Sequence, residues 1–195
     1  MAYIRTITIP EACDDCAASA GKTELCGRAI SGGNKRVFYF ANRCDINEIG
    51  IEDGTNIITQ LEMKTGKGFF QVTSSKNTLT WTEDLTLPNG FLTQTLVFNI
   101  SQLSNDTDLN QAYQDALDFA QQFISSSSEY IFLIQTRIGV WRLFGLDNGL
   151  EISAGSNVSG AAIADVSANT LTFISGESEF AHVVASAVIA NLPIL

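Results

Sequence analysis

WRLFGLDNGLEISAGSNVSG, Trp141 to Gly160, is the stretch on which a reading of this chain turns. Its first residues alternate and carry two aromatics, as a half-buried strand does. Asn148-Gly149 follows. Asn-Gly between apolar segments is a strong short-range hairpin signal, because both residues tolerate the left-handed backbone of a tight turn. The expected element is a hairpin that joins Val140–Phe144 to Leu150–Ser153 in one shared sheet. Beyond it the chemistry thins to glycine, serine and alanine. Ala154–Asp165 reads as a loop of small residues, able to lie against a neighbour without steric conflict.

Outward from this stretch, the pattern is mostly β. Upstream, "MAYIRTITIP" alternates like a strand, and Glu11–Lys35 is a polar, cysteine-bearing segment read as a loop or arm. "RVFYFANRC" (Arg36–Cys44), "NIITQLEMKTG" (Asn56–Gly66) and "FFQVT" (Phe69–Thr73) are strand candidates. "TLTWTEDLTL" (Thr78–Leu87) and "FLTQTLVFNI" (Phe91–Ile100) flank Pro88-Asn89-Gly90, a second hairpin signal. In the latter strand Leu92, Leu96, Phe98 and Ile100 share one face. One helix stands out at about 107–125, where Leu109, Ala112, Tyr113, Ala116, Leu117, Ala120, Phe123 and Ile124 fall at helical spacing. "EYIFLIQT" (Glu129–Thr136) and "GVWRLFG" (Gly139–Gly145) are strands joined by a short turn at Arg137-Ile138. "NTLTFISG" (Asn169–Gly176) and "HVVASAVIANL" (His182–Leu192) are read as the last strands. Strands, one helix, then strands predict a mainly β (α+β) fold. That is a β-sandwich or barrel with one packed helix and an extended N-terminal arm, residues 1–35 against a β domain at 36–195.

Composition narrows the function. The chain has 195 residues, 45% hydrophobic, enough for a single domain with a sizeable core. Only 16% are charged, against a typical fraction near 25%. Net charge is −10 and falls unevenly: residues 1–52 hold six basic and seven acidic side chains, residues 53–195 five basic and fourteen acidic. From Asn77 to Thr136 there is no Lys or Arg. A nucleic-acid binder needs cations to displace counterions from phosphates, so this chain is built to repel a DNA backbone. The N-terminus lacks the basic-then-apolar pattern of a signal peptide, and no window reaches the apolar length of a membrane span; synthesis in the cytoplasm is expected, with no membrane partner.

Catalytic chemistry is nearly absent. The single histidine, His182, lies in an apolar pattern and is expected to be structural. "AGKT" (Ala20–Thr23) ends like a phosphate-binding loop, but Cys16 stands where its first glycine belongs. "DTDLNQ" (Asp106–Gln111) starts like a calcium loop, but Gln111 and Leu117 occupy its glycine and glutamate positions. Cys13-x-x-Cys16 is one zinc knuckle whose counterpart is missing, since Cys26 and Cys44 are 18 residues apart. Free thiols are expected for all four, with zinc or a later disulfide as the alternatives. Glu83-Asp84 and the pair Glu177 and Glu179 read as solvated turn carboxylates. The expectation is a structural or binding protein, not an enzyme, with no cofactor and no metal.

Ile131–Val184 resembles the C-terminal part of phage tail tube proteins, particularly those of phages infecting Bacteroidetes-type hosts. The shared features come in order: a strand ending near "QT", the "GVWRLFG" strand, a "DNGL" turn, "SAG" and a small-residue "SG" region, Asp165, then "TLTF" leading to "GESE". Upstream, "FFQVT", "WTEDL", the glycine before "FLTQTLVFNI" and the following helix keep the family's order, so the resemblance covers roughly residues 55–185. The cysteine-bearing arm has no counterpart, and "ANT" (Ala168–Thr170) stands where a glycine-like turn is expected. The resemblance implies a virion protein: homo-hexameric rings that stack into a hollow tube, an inner barrel closed by strands from every subunit, other phage tail proteins as partners, and transient, non-specific passage of DNA. It places inter-subunit contacts on the N-terminal arm and on Gly155, Ser156, Asn157, Val158, Ser159, Gly160 and Ala161, and it implies an acidic, polar lumen. A tail terminator, neck or head-decoration protein is the alternative of the same class, and a small-ligand-binding β-barrel that of another.

Overall fold

The apolar alternation of the sequence resolves into two stacked sheets. The structure is a computed structural model, and it describes residues 33–52, 55–75, 77–86, 90–101, 114, 117–123, 128–158 and 168–195. The strands are β1 (Asn34–Asn42), β2 (Ile46–Glu52), β3 (Ile57–Met63), β4 (Phe70–Thr73), β5 (Thr80–Thr86), β6 (Phe91–Ser101), β7 (Tyr130–Thr136), β8 (Trp141–Phe144), β9 (Glu151–Val158), β10 (Ala168–Glu177) and β11 (His182–Val184). Residues 117–123 are helical (α1), and Ser186–Ala190 form a second, short helix (α2). One sheet has seven strands in the order β2-β3-β11-β8-β7-β1-β4; the other has four, β5-β6-β10-β9. The fold is a mainly β sandwich with one helix of seven or more residues among those described.

The core between the sheets follows from strand parity. Phe38, Phe132 and Phe144 project from the seven-stranded sheet, and Leu96, Phe98, Leu171 and Phe173 from the four-stranded one. Phe98 and Phe173 stack with centroids 5.7 Å apart, and Phe132 meets Phe173 edge-on at 4.9 Å. Helix α1 closes the layer with Phe123, 5.0 Å from Tyr130 and 5.2 Å from Phe173. Each fully buried phenylalanine contributes about 1.5–3 kcal/mol of transfer free energy. A second cluster lies on the other face of the seven-stranded sheet. Ile131, Leu133, Leu143, Ile58 and Val184 pack there under Val188 of α2. Strand β7 serves both clusters, so Tyr130–Ile134 are buried without interruption. That explains why "YIFLI" is continuously apolar where the other strands alternate.

Two expectations change here. Asn148-Gly149 does not close a hairpin. Strand β8 pairs with β7 and β11, while β9 pairs with β10 in the opposite sheet. Residues 145–150 are the crossover that carries the chain from one sheet to the other. Gly145 and Gly149 both have positive φ, 78° and 77°. A Cβ on Gly145 would stand 2.7 Å from the Tyr130 carbonyl oxygen, and one on Gly149 2.5 Å from Glu129 Cβ. Both glycines turn the backbone out of the sheet against β7, which a strand-register hairpin would not require. The C-terminal segment is not one strand either: it stops at Val184, and residues 186–190 are helical. Strand β2 was not expected from the sequence. Two register irregularities, at Ile46/Glu48 and Gly50/Ile51, interrupt its period. Strands β5 and β6 form the expected antiparallel pair, with Thr86 opposite Phe91; Pro88 and Asn89 lie outside the described residues.

Candidate assembly surface

The crossover is clamped by carboxylates that the sequence reading left in solvent. Glu177 ends β10 almost fully buried and accepts from the backbone N–H groups of Asp147 (2.7 Å) and Asn148 (3.4 Å), and from the Ser175 hydroxyl. The Asn148 side-chain amide donates to the Gly176 carbonyl. Ser178 returns two hydrogen bonds to Asp147 Oδ2, from its hydroxyl and from its backbone N–H at 3.1 Å. The Ser178 hydroxyl holds the Asp147 carboxyl below its ordinary value. Partial burial opposes this, and the Ser178 N–H and the charge fields of His182 and Arg43 reinforce it. Gly176, Glu177 and Ser178 of β10 and its turn thus grip Asp147 and Asn148, with Ser175 bracing Glu177, and orient the start of β9.

A second buried carboxylate ties the sheets together. Trp81, Glu83 and Leu85 share one face of β5, so parity points Glu83 inward. Its side chain receives Arg142 Nη2 at 2.7 Å, the Ala181 N–H at 2.5 Å and Gln94 Nε2 at 3.3 Å. The Arg142 guanidinium also donates to the Ala181 carbonyl (2.9 Å) and lies 4.5 Å from the Trp81 ring centroid. The pair joins β5 of one sheet to β8 of the other. Gln94, itself buried, accepts from the Gly145 N–H at 3.0 Å.

What remains outward on the four-stranded sheet is hydroxyl-rich. Register places Thr80, Thr82 and Asp84 of β5 beside Val97, Thr95 and Thr93 of β6. Val97 and Asn99 continue into Thr172 and Thr170 of β10. Strands β5, β6, β9 and β10 contain no Lys or Arg. Their only charged residues are Glu83 and Glu177, which are turned inward, and Asp84 and Glu151, which are exposed. Phe91 and Ile174 are exposed on the same face. With Thr93, Asn148, Glu151 and Gly176 they border an open groove of about 440 Å³. The sheet's two edges are β5 and β9.

The candidate contact residues are only partly as expected. Gly155, Ser156, Asn157 and Val158 form the second half of edge strand β9, paired to β10, and are not a loop; Ser159, Gly160 and Ala161 lie outside the described residues. Pairing with β10 supplies what the low β-propensity of Gly, Ser and Asn does not. Gly155, Ser156 and Asn157 border a cavity of about 260 Å³ beside Leu117, Ala120 and Gln121 of α1. The N-terminal arm, with Cys13, Cys16 and Cys26, also lies outside the described residues. Cys44 is exposed and unbridged. His182 is buried, its Nε2 3.6 Å from Glu179 Oε2. Among the described residues no three His, Cys, Asp or Glu side chains are placed to hold a metal ion, and no helix is long and apolar enough to cross a membrane. The carboxylates Glu83 and Glu177 were missed because their neighbours are polar. The parity of Trp81 and Leu85 was the signal that could have found the first.

Together these features define a two-sheet β-sandwich whose smaller sheet presents a cation-free face and two strand edges. Comparison with protein-family models, curated proteins and solved structures gives no match for the chain.

Proposed function

We infer that this chain is a self-assembling structural subunit of a phage tail tube. In this reading six copies set their four-stranded sheets side by side, β5 of one against β9 of the next, into a closed inner barrel. Rings of this kind stack into a conduit for DNA. The observation that carries the reading is the outward face of the four-stranded sheet: mostly threonine and asparagine, with exposed Phe91 and Ile174 beside the groove and no charge other than acidic. A wall of this composition lets a polyanion pass without counterion release to hold it. Closing the sheet through its edges would also pair outward N–H and C=O groups of β5 and β9 with a neighbouring strand. A small-ligand-binding barrel is less well supported, because the space between the sheets is filled by Phe38, Phe98, Phe123, Phe132, Phe144 and Phe173.

Negative-stain microscopy of the purified chain tests the reading. Hollow tubes or six-fold rings are expected. A monomer by light scattering at every concentration, with no ring on the grid, overturns it. Isolated rings that never stack favour the terminator or neck role within the same class.

A further inference from the structure

The four sheet edges are not equally guarded. Strand β2 carries Glu48 and Glu52 and two register irregularities. Strand β5 carries Glu83 and Asp84, and the β9 pairing is irregular at Thr172/Phe173. Such charges and bulges discourage flat, like-to-like pairing of an edge with its own copy, though not the pairing of β5 with a different edge such as β9. Strand β4, Phe-Gln-Val-Thr, has neither: its pairing with β1 is regular and no residue of it is charged.

The backbone of β4 shows what its edge does. The Ser74 N–H donates to the Arg36 carbonyl at 2.8 Å, so by alternation Phe70 and Val72 bond toward β1 while Phe69, Gln71 and Thr73 face away. At Phe69 that outward position is taken by the C-terminal tail. The Phe69 N–H donates to the Pro193 carbonyl (2.8 Å), and the Leu195 N–H donates to the Phe69 carbonyl (2.9 Å), in parallel sense. Among the described residues nothing meets the outward groups of Gln71 and Thr73. Three half-exposed apolar side chains, Phe70, Ile194 and Leu195, border the same edge.

We propose that Pro193–Leu195 is a removable guard on β4, and that the edge it covers is a docking site for the β4 edge of a second copy of this chain. The tail already shows that the edge accepts an extended strand. It holds only the first outward position, so lifting it leaves three outward residues in a row, Phe69, Gln71 and Thr73. An identical uncharged edge is self-complementary across a two-fold axis, which makes a second copy the partner that is always present. The contact is separate from β5 and β9, and it does not rest on the tube reading.

Gly68 supplies the test. A Cβ there would stand 2.6 Å from the Pro193 carbonyl oxygen and 3.1 Å from Leu195 Cγ, with no backbone obstacle to alanine in the φ of Gly68. Gly68→Ala therefore expels residues 193–195 while keeping them in the chain, and their deletion does the same by a second route. Light scattering of both variants is compared with the parent chain, whatever the parent's own state. The expected result is a doubling of the parent mass. Gln71→Pro and Thr73→Pro, placed in the same variants, remove outward N–H groups that make no bond to β1, and are expected to restore the parent mass. Unchanged mass in both tail-lifted variants overturns the proposal. So does growth in mass that the two prolines fail to reverse, because exposed Phe69 is then acting as an unspecific sticky surface.

Discussion

Replacing Glu83 by Gln isolates the strongest polar contact between the two sheets. The Glu83 side chain is 5% exposed and that of Arg142 20%, so the pair sits largely out of water. Neutralising the carboxylate leaves the guanidinium half-desolvated, with the Ala181 carbonyl and the Trp81 and Phe144 rings as its remaining partners among the described residues. Removing one member of a buried pair costs about 3–5 kcal/mol. The glutamine oxygen still accepts from the Ala181 N–H, which places the expected loss near the lower end, about 3 kcal/mol. For a chain of this size that corresponds to a melting temperature lower by roughly 6–12 °C. Urea unfolding followed by tryptophan fluorescence measures it well, since Trp81 reports on the site, and the midpoint is expected to move without a change in slope. The double variant Glu83→Leu with Arg142→Met removes both charges. It is expected to recover to within about 1 kcal/mol of the parent, because the desolvation cost disappears with the attraction. A loss under about 1 kcal/mol for Glu83→Gln, the range of exposed pairs, would refute the assignment of a desolvated bridge. So would a double variant whose loss is the simple addition of the two singles.

Two further outcomes follow from the crossover. Gly145→Ala meets both a positive φ and the Tyr130 carbonyl, whereas Gly66→Ala meets a similar φ, 75°, in open space. The backbone alone costs about 1–2 kcal/mol at either site, so a clearly larger loss at Gly145 by denaturant unfolding is expected, and equal losses would remove the close approach to β7 from the account. Asp147 has a folded-state pKa below its unfolded value near 3.9, so its contribution is present above about pH 4 and disappears as pH falls through the folded pKa. Asp147→Asn is expected to flatten the acid limb of stability below about pH 4 while leaving the neutral plateau lower; an acid limb identical to the parent's counts against the Ser178 clamp.

The parts of the fold that the sequence made readable are those decided by neighbours along the chain. Leu92, Leu96, Phe98 and Ile100 alternate because β6 has one buried face, and the Pro88-Asn89-Gly90 signal is matched by its flanking strands β5 and β6, which pair with each other. Asn148-Gly149 carries the same local signal. Its turn is consumed differently, because Glu177, some thirty residues later, takes the N–H groups of Asp147 and Asn148. No local pattern reveals that partner. The small-residue half of β9 was hidden for a related reason: its pairing energy comes from β10, and Gly155-Ser156-Asn157 has no strand preference of its own. In Ser186–Ala190 the apolar run was read at period 2, yet Val188 alone is buried, at the helical position that meets Ile58 and Val184. The candidate surface was legible only as an absence of cations. Its threonine pattern acquires meaning once register sets Thr82 beside Thr95 on the face turned from the core.

The three residues of β11 have a consequence for the order of folding. In the seven-stranded sheet β11 is the sole in-sheet neighbour joining β3 to β8, parallel to one and antiparallel to the other. Until His182–Val184 arrive, the β2–β3 hairpin has no strand to lean on, and Ile58 and Leu143 have no bridge between them. The hairpin is therefore expected to behave as a separate cooperative unit, with its amides exchanging faster than those of β7 and β8 in native-state hydrogen exchange. The β2–β3 hairpin is joined to the sheet by a clasp made more than a hundred residues later, so the closing of that clasp is expected to be slower than the collapse of the aromatic layer beneath it, which stopped-flow refolding of Val183→Ala against the parent would test.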